Sequence, residues 1–171
     1  MDSATLRARQ QPLKDAYRED PARALVTLRR SGVVGEGVSC SVDTGRVIAE
    51  AGLHRATGGD GSQLCSGDML LEALVACAGV TLGAVSTALG VELRSAIVHA
   101  EGDIDFRGTL GVSKEAPVGF SAIRLHFELD TDAGDDVVTR LLQLTERYCV
   151  VLQTISSGPP IEMSMSSPAP R

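Results

Sequence analysis

Residues 68–89 read DMLLEALVACAGVTLGAVSTAL and are followed by Gly90. Apolar side chains fill nearly every position, with Glu72, Thr81, Ser86 and Thr87 as the main exceptions. Such a run predicts a helix that is apolar all round, which is stable only when deeply buried or when it spans a membrane. At about 1.5 Å per residue it would reach about 33 Å, long enough for either. Glu72 inside the run, no flanking basic cluster and charged segments directly after it favour burial. Ser66 or Asp68 is placed to cap the start, and Gly90 to end it. One small sheet cannot cover a helix on every side, so the same run predicts a partner subunit.

Working outward toward the C-terminus, residues 91–106 (VELRSAIVHAEGDIDF) and 120–130 (FSAIRLHFELD) alternate as strands do. Ile123, Leu125, Phe127 and Leu129 mark one buried face of the second strand. The link 107–119 reads as a loop. A second helix is expected after Asp132, through Val137, Val138, Leu141, Leu142, Leu144 and Cys149, and residues 161–165 (IEMSM) as a last strand. Toward the N-terminus, residues 24–30, 37–43 and 46–50 read as short strands separated by glycine-rich breaks, an antiparallel meander. Residues 56–67 (ATGGDGSQLCSG) form a glycine-rich loop. The expected organisation is an N-terminal helical arm at 1–23, one domain at 24–166 and a flexible tail at 167–171. Strands, helix, strands, helix, strand is an α+β order.

A chain of 171 residues with 43% hydrophobic residues can bury one sizeable core, and with 3% aromatics and no Trp that core is built from Leu, Val, Ile and Ala. Acidic residues outnumber basic ones by 22 to 16, giving a net charge of −6. That balance repels a phosphate backbone, so nucleic acid is not an expected partner. The polar start MDSATLRARQQPLKDAYRED lacks the apolar stretch of a secretory signal. A cytoplasmic, non-membrane protein is expected, with its four cysteines (Cys40, Cys65, Cys77, Cys149) in a reducing compartment.

Few arrangements of reactive residues are available. No two cysteines have metal-ligand spacing, the nearest pair being twelve residues apart, and His54, His99 and His126 each stand alone. No metal or cofactor is expected. The sequence has no G-x-S-x-G nucleophile elbow, no phosphate-binding loop and no C-x-x-C. Cys40 alternates with Val38 and Val42 and reads as core packing. Cys77 and Cys149 remain, each late in an expected apolar helix, where a free cysteine is most often a small buried hydrophobe.

Their surroundings add to that reading. The run SGDMLLEALVAC (66–77) resembles the signature of the OsmC/Ohr family, in which a loop, an acidic residue and a Leu/Ala-rich helix lead to a reactive cysteine. The run TERYCVVLQT (145–154) resembles that family's second-cysteine motif, and EGDIDFRGTLG (101–111) fits the place between them. The resemblance covers about residues 24 to 165. It implies an α+β fold with antiparallel sheets wrapped around two long central helices in an intertwined homodimer. It implies reduction of organic hydroperoxides or hydrogen peroxide in oxidative stress defence, with Cys77 peroxidatic, Cys149 resolving and a dithiol reductant such as a lipoyl protein as electron donor. The alternative is a binding or redox-sensing protein of the same fold without turnover.

The resemblance also implies an arginine near the reactive sulfur, held by a carboxylate. Arg30 in LRRSG is the closest match, with Arg29 and Arg46 behind it, and Asp68 or Glu72 is the carboxylate. Some family members carry Glu at the position of Asp68. A straight helix would separate Asp68 from Cys77 by about 13 Å, a gap that a site shared between subunits would relieve. Val150 follows Cys149 where the family often has proline, and Cys65 is a third possible redox partner.

Overall fold

The computed structural model describes residues 2–5, 8, 19, 32–34, 39–43, 48–111 and 113–166. The expected strand at 24–30 and the tail at 167–171 lie outside the described residues, as do most of the arm at 1–23 and Arg29, Arg30 and Arg46.

Three strands, β1 (Gly32–Val34), β2 (Ser39–Asp43) and β3 (Ile48–Gly52), form an antiparallel meander. The two later strands fall where alternation placed them, within 37–43 and across 46–50. The first described strand occupies a stretch read as a glycine-rich break. A two-residue strand β4 (Leu64–Cys65) pairs in parallel with β3 and leads straight into helix α1 (Ser66–Leu89). The glycine-rich loop is therefore more ordered than its composition suggests. His54 Nδ1 accepts the Ala56 N–H at 3.0 Å and caps a short helical turn at Arg55–Thr57.

Helix α1 starts two residues before the expected run. Cys65, with no capping side chain, is its N-cap residue, so neither Ser66 nor Asp68 caps it. Asp68 lies inside the first turn, where its carboxylate meets the positive end of the helix dipole. Gly90 does end the helix. Its φ of 70° is left-handed, the Val91 N–H donates to Ser86 O at 2.9 Å, and the Gly90 N–H donates to Thr87 O at 3.3 Å. This paired closure favours glycine because a Cβ is strained at that φ.

Strands β5 (Ser95–Ile104) and β6 (Phe120–Asp130) form a long antiparallel hairpin with one irregularity beside Asp103. Val98, Ala100, Ile123, Leu125 and Phe127 point toward α1, as the alternation of β6 indicated. The outer face is charged. Arg124 bridges Glu101 and Asp103, and His99 Nε2 lies 3.1 Å from Glu128. These exposed pairs add little stability. On the inner face Gly102 leaves room for Phe120, whose ring a Cβ would meet at 2.4 Å. The link 107–119 is not wholly loop, because Asp105 caps a short helix α2 (Phe106–Thr109).

The expected second helix is two helices. Helix α3 (Asp135–Tyr148) stops at Cys149, and α4 (Val150–Ser157) starts immediately after it. Residues 161–165 form no strand. Two prolines precede them, and the side chains of Ile161, Met163 and Met165 are exposed, so no sheet edge holds this stretch.

Among the described residues the core centres on one row of α1. Leu74, Ala78, Leu82 and Ser86 recur every four residues and are buried, with Leu141 of α3 and Cys149 beside them. The rest of α1 is not enclosed as its composition would require, since Val80 is 76% exposed and Leu70 40%. Within this chain the helix buries a stripe rather than its whole circumference. Leu74 is fully enclosed, so Leu74→Ala should lower unfolding free energy by about 2 to 5 kcal/mol, read as an earlier midpoint in urea with an unchanged slope.

Candidate functional site

The site grows from the break between α3 and α4. Cys149 has extended torsion angles (φ −72°, ψ 104°) at a point where both neighbours are helical. Its N–H closes α3 on Thr145 O at 3.0 Å, and its carbonyl accepts the first intrahelical bond of α4, from the Gln153 N–H at 2.9 Å. In an unbroken helix the Glu146 carbonyl would accept from the Val150 N–H. Here the Gln153 side-chain amide takes that carbonyl instead, Nε2 donating at 2.9 Å. The first N–H groups of α4 belong to a new helix start, without acceptors in their own helix.

The break aims the Cys149 side chain into the core. It is fully buried and packs with Leu74 and Ala78 of α1, with Cys77 against the same cluster. Cys77 is half-buried, midway along α1. The two cysteines thus share one cluster, and the Cys149 thiol is near enough to favour the anion on Cys77. The Val151 and Val150 amides and the Thr81 hydroxyl, one turn along α1, also favour the Cys77 anion. That hydroxyl donates to the Cys77 carbonyl at 2.8 Å. It has one proton for two acceptors, so it serves the sulfur only when it turns from the carbonyl.

These surroundings separate the two thiols. Burial pushes the Cys77 thiol up, but the Val151 N–H, the Cys149 thiol, the Thr81 hydroxyl and the Val150 N–H together outweigh it and hold the group below its ordinary value. Burial pushes the Cys149 thiol up, and proximity to a Cys77 anion pushes it further, against weaker help from the Leu152 and Val151 N–H groups. The pair is therefore polarised, with an anion favoured on Cys77 and a protonated partner on Cys149.

A cleft of about 370 Å³ opens beside Cys149, with Ala78, Leu125, Phe127, Thr145 and Leu152 among its other walls, and Cys77 does not line it. It is mostly apolar, and Gln143 and Glu146 supply polar groups to its lining. The other sequence candidates lie elsewhere. Asp68 and Glu72 are exposed near the start of α1, around shallow depressions shared with Leu71, Val75 and Ala100, and neither meets Cys77 within this chain. Arg30 is outside the described residues. Among the described residues no arginine meets the Cys77 sulfur. Cys65 sits at the far end of α1, in a separate pocket with His54, Asp68 and Phe106. Among the described residues no group of three or more His, Cys, Asp or Glu side chains could hold a metal ion.

Sequence reasoning missed Thr81, Gln153 and the amides of Val150 and Val151. Thr81 had a signal, four residues after Cys77 on one helix face. The amides had none, because their role depends on where the helix breaks.

Residues 59–164 match the OsmC-like protein family, and the chain belongs to it. Solved structures agree on the fold. An OsmC-like protein from Mycoplasma pneumoniae superposes with a TM-score of 0.64 at 14% identity, covering 78% of this chain and 89% of that one. An organic hydroperoxide resistance protein OsmC from Legionella pneumophila gives 0.60 at 16% identity, over 78% and 91%. An organic hydroperoxide resistance protein from Elizabethkingia anophelis gives 0.61 at 15%, also over 78% and 91%. No curated protein matches the chain in sequence. One described helix, Ser66–Leu89, is long and apolar enough to cross a membrane, and it is the helix whose buried row forms the core.

The opposite pKa directions of the two thiols set an order of labelling. As pH rises, iodoacetamide should modify Cys77 first, with a midpoint below that of free cysteine, and Cys149 only at higher pH, read peptide by peptide in a mass spectrometer.

Proposed function

We propose that this protein is a thiol-dependent peroxidase that reduces organic hydroperoxides or hydrogen peroxide in oxidative stress defence. The observation that carries the reading is the packing of two cysteines, distant in sequence, into one cluster, with the anion favoured on the more accessible one. Membership of a family that includes organic hydroperoxide resistance proteins supports it.

In this reading the Cys77 thiolate attacks the terminal oxygen of ROOH. The O–O bond breaks, alkoxide leaves and takes a proton as ROH, and Cys77 becomes a sulfenic acid. Cys149 then attacks that sulfur, its proton leaving with the hydroxide as water, and a Cys77–Cys149 disulfide forms. A dithiol reductant, such as a lipoyl protein, restores both thiols and leaves as its own disulfide. One hydroperoxide and one dithiol thus give one alcohol, one water and one oxidised dithiol. The apolar cleft beside Cys149 suits a substrate with an organic group.

The working unit in this reading is a cytoplasmic homodimer. Support comes from the apolar surface left bare in one chain, with Val80 76% exposed, Val150 71% and Tyr148 58%. A second copy that covers α1 would also bring Asp68 and Glu72 within reach of a Cys77 that their own chain does not offer them. A second reading, a binding or redox-sensing protein without turnover, is favoured by one observation. The walls around Cys77 are aliphatic, and no described arginine meets it.

Consumption of cumene hydroperoxide by the dithiol-reduced protein separates the two. Turnover should be lost in Cys77→Ser, while Cys149→Ser should complete one round and then accumulate sulfinic acid on Cys77. Sustained turnover in Cys77→Ser would eliminate the mechanism. In solution the protein should weigh about twice the 17.9 kDa of one chain, measured by light scattering, and a monomer at micromolar concentration would remove the shared site.

A further inference from the structure

We propose that Gln153 is a positioning residue for Cys149: its side-chain amide, by holding the Glu146 carbonyl, keeps α3 and α4 apart and so sets the rate at which Cys149 closes the disulfide on Cys77. This deepens the peroxidase reading and rests on it for the order of the steps.

A sharp break in a helix has an identifiable cause, such as proline, glycine, a bulge or a group inserted into the hydrogen-bond ladder. Between Thr145 and Thr154 there is neither proline nor glycine. The chain still leaves helical torsion at Cys149, with ψ at 104°, and α4 begins at the next residue. Gln153 holds both sides of that point. Its backbone N–H donates to Cys149 O at 2.9 Å, and its side-chain Nε2 donates at 2.9 Å to Glu146 O, seven residues back. Glu146 O is the acceptor that the Val150 N–H would claim in an unbroken helix. A side chain therefore stands in the ladder where a main-chain donor would otherwise be.

The break decides where the Cys149 side chain points. It is fully buried against Leu74 and Ala78, in the cluster that also takes in Cys77. A disulfide forms only with Cα atoms within about 7 Å and matched Cβ directions. If Val150 reclaimed the Glu146 carbonyl, Cys149 would rejoin α3 and its side chain would turn away. Gln153 is exposed, and it acts through the backbone on either side of Cys149. The step it serves is the attack of the Cys149 sulfur on the Cys77 sulfenic acid. The S–S bond forms as the S–O bond breaks, and the Cys149 proton leaves with hydroxide as water.

Proline at position 150 would have the same effect covalently. It carries no N–H to compete for the Glu146 carbonyl, and it is tolerated at the first position of a helix. Cys149 already holds the extended torsion that a residue before proline adopts.

Gln153→Met keeps the side-chain length and removes the donor. The full-length reduced protein is mixed with cumene hydroperoxide, quenched rapidly and read by mass spectrometry. Cys77 sulfenic acid should form at the parental rate, and the disulfide should close about three- to tenfold more slowly, the effect of one hydrogen bond. Adding Val150→Pro to Gln153→Met should restore the parental closure rate, a recovery that a general loss of stability would not give. The first step is read separately, so any change there does not enter the comparison. Equal closure in the parent and Gln153→Met, or no recovery in the double variant, overturns the proposal.

Should Gln153→Met not fold by circular dichroism, Gln153→Glu replaces it, because an ionised carboxylate of similar size accepts but cannot donate. The same slowing and the same recovery are expected. The parent gives a check that needs no variant. Its Val150 amide should exchange as quickly as those at a helix start, and protection equal to that of amides inside α3 overturns the proposal.

A glutathione redox buffer separates this proposal from the reading it rests on. There the Cys77–Cys149 disulfide forms without peroxide, as oxidised glutathione is reduced. Its equilibrium constant should fall in Gln153→Met by the same factor and recover in the double variant. A protein that behaves so but consumes no hydroperoxide loses only the peroxidase reading. One that consumes hydroperoxide with closure indifferent to Gln153 loses only the role of Gln153.

Discussion

The interruption of the second long helix at Cys149 is the constraint on which the rest of the site depends. Had the chain stayed helical through that residue, its carbonyls and amides would have satisfied one another, and no amide would be left for a sulfur. Because it breaks, Cys149 turns into the core against Leu74 and Ala78, and Cys77 comes into contact with it. Gln153 secures the break by occupying the carbonyl that the next residue would otherwise have claimed. Burial of Cys149 supplies packing energy, so the contact of the sulfurs is a by-product of closing the core.

That arrangement divides the two thiols by environment rather than by identity. Both are cysteines and both are partly or wholly enclosed, yet donors converge on one and burial dominates at the other. A nucleophile and a protonated partner side by side is what a two-step redox cycle needs, since the first must attack unaided and the second must wait. The bare flank of α1 belongs to the same economy of structure. The helix spends its small-residue and leucine row on the internal core, and its remaining apolar surface is available to another chain.

Much of this was legible in the sequence. The long apolar run with Gly90 after it gave α1 and its end. The alternation of Ile123, Leu125, Phe127 and Leu129 gave β6 and its inward face, because period and burial coincide there. The cysteine pair came from two runs that resemble a family signature, not from composition. What was hidden depended on geometry that no local pattern encodes. TERYCVVLQT has no proline or glycine to mark a break, so it reads as continuous helix. IEMSM has strand-like alternation, but it follows two prolines and pairs with no strand among the described residues. Cys65, rather than a hydroxyl or carboxylate, precedes α1 because the chain enters that helix directly from β4.

The amides at the start of α4 bear on how such a protein can drift over generations. A side chain that binds an anion is lost by many substitutions and leaves a trace when it is kept. A peptide nitrogen survives every replacement but one, so positions 150 and 151 can change size and polarity while the charge they offer stays the same.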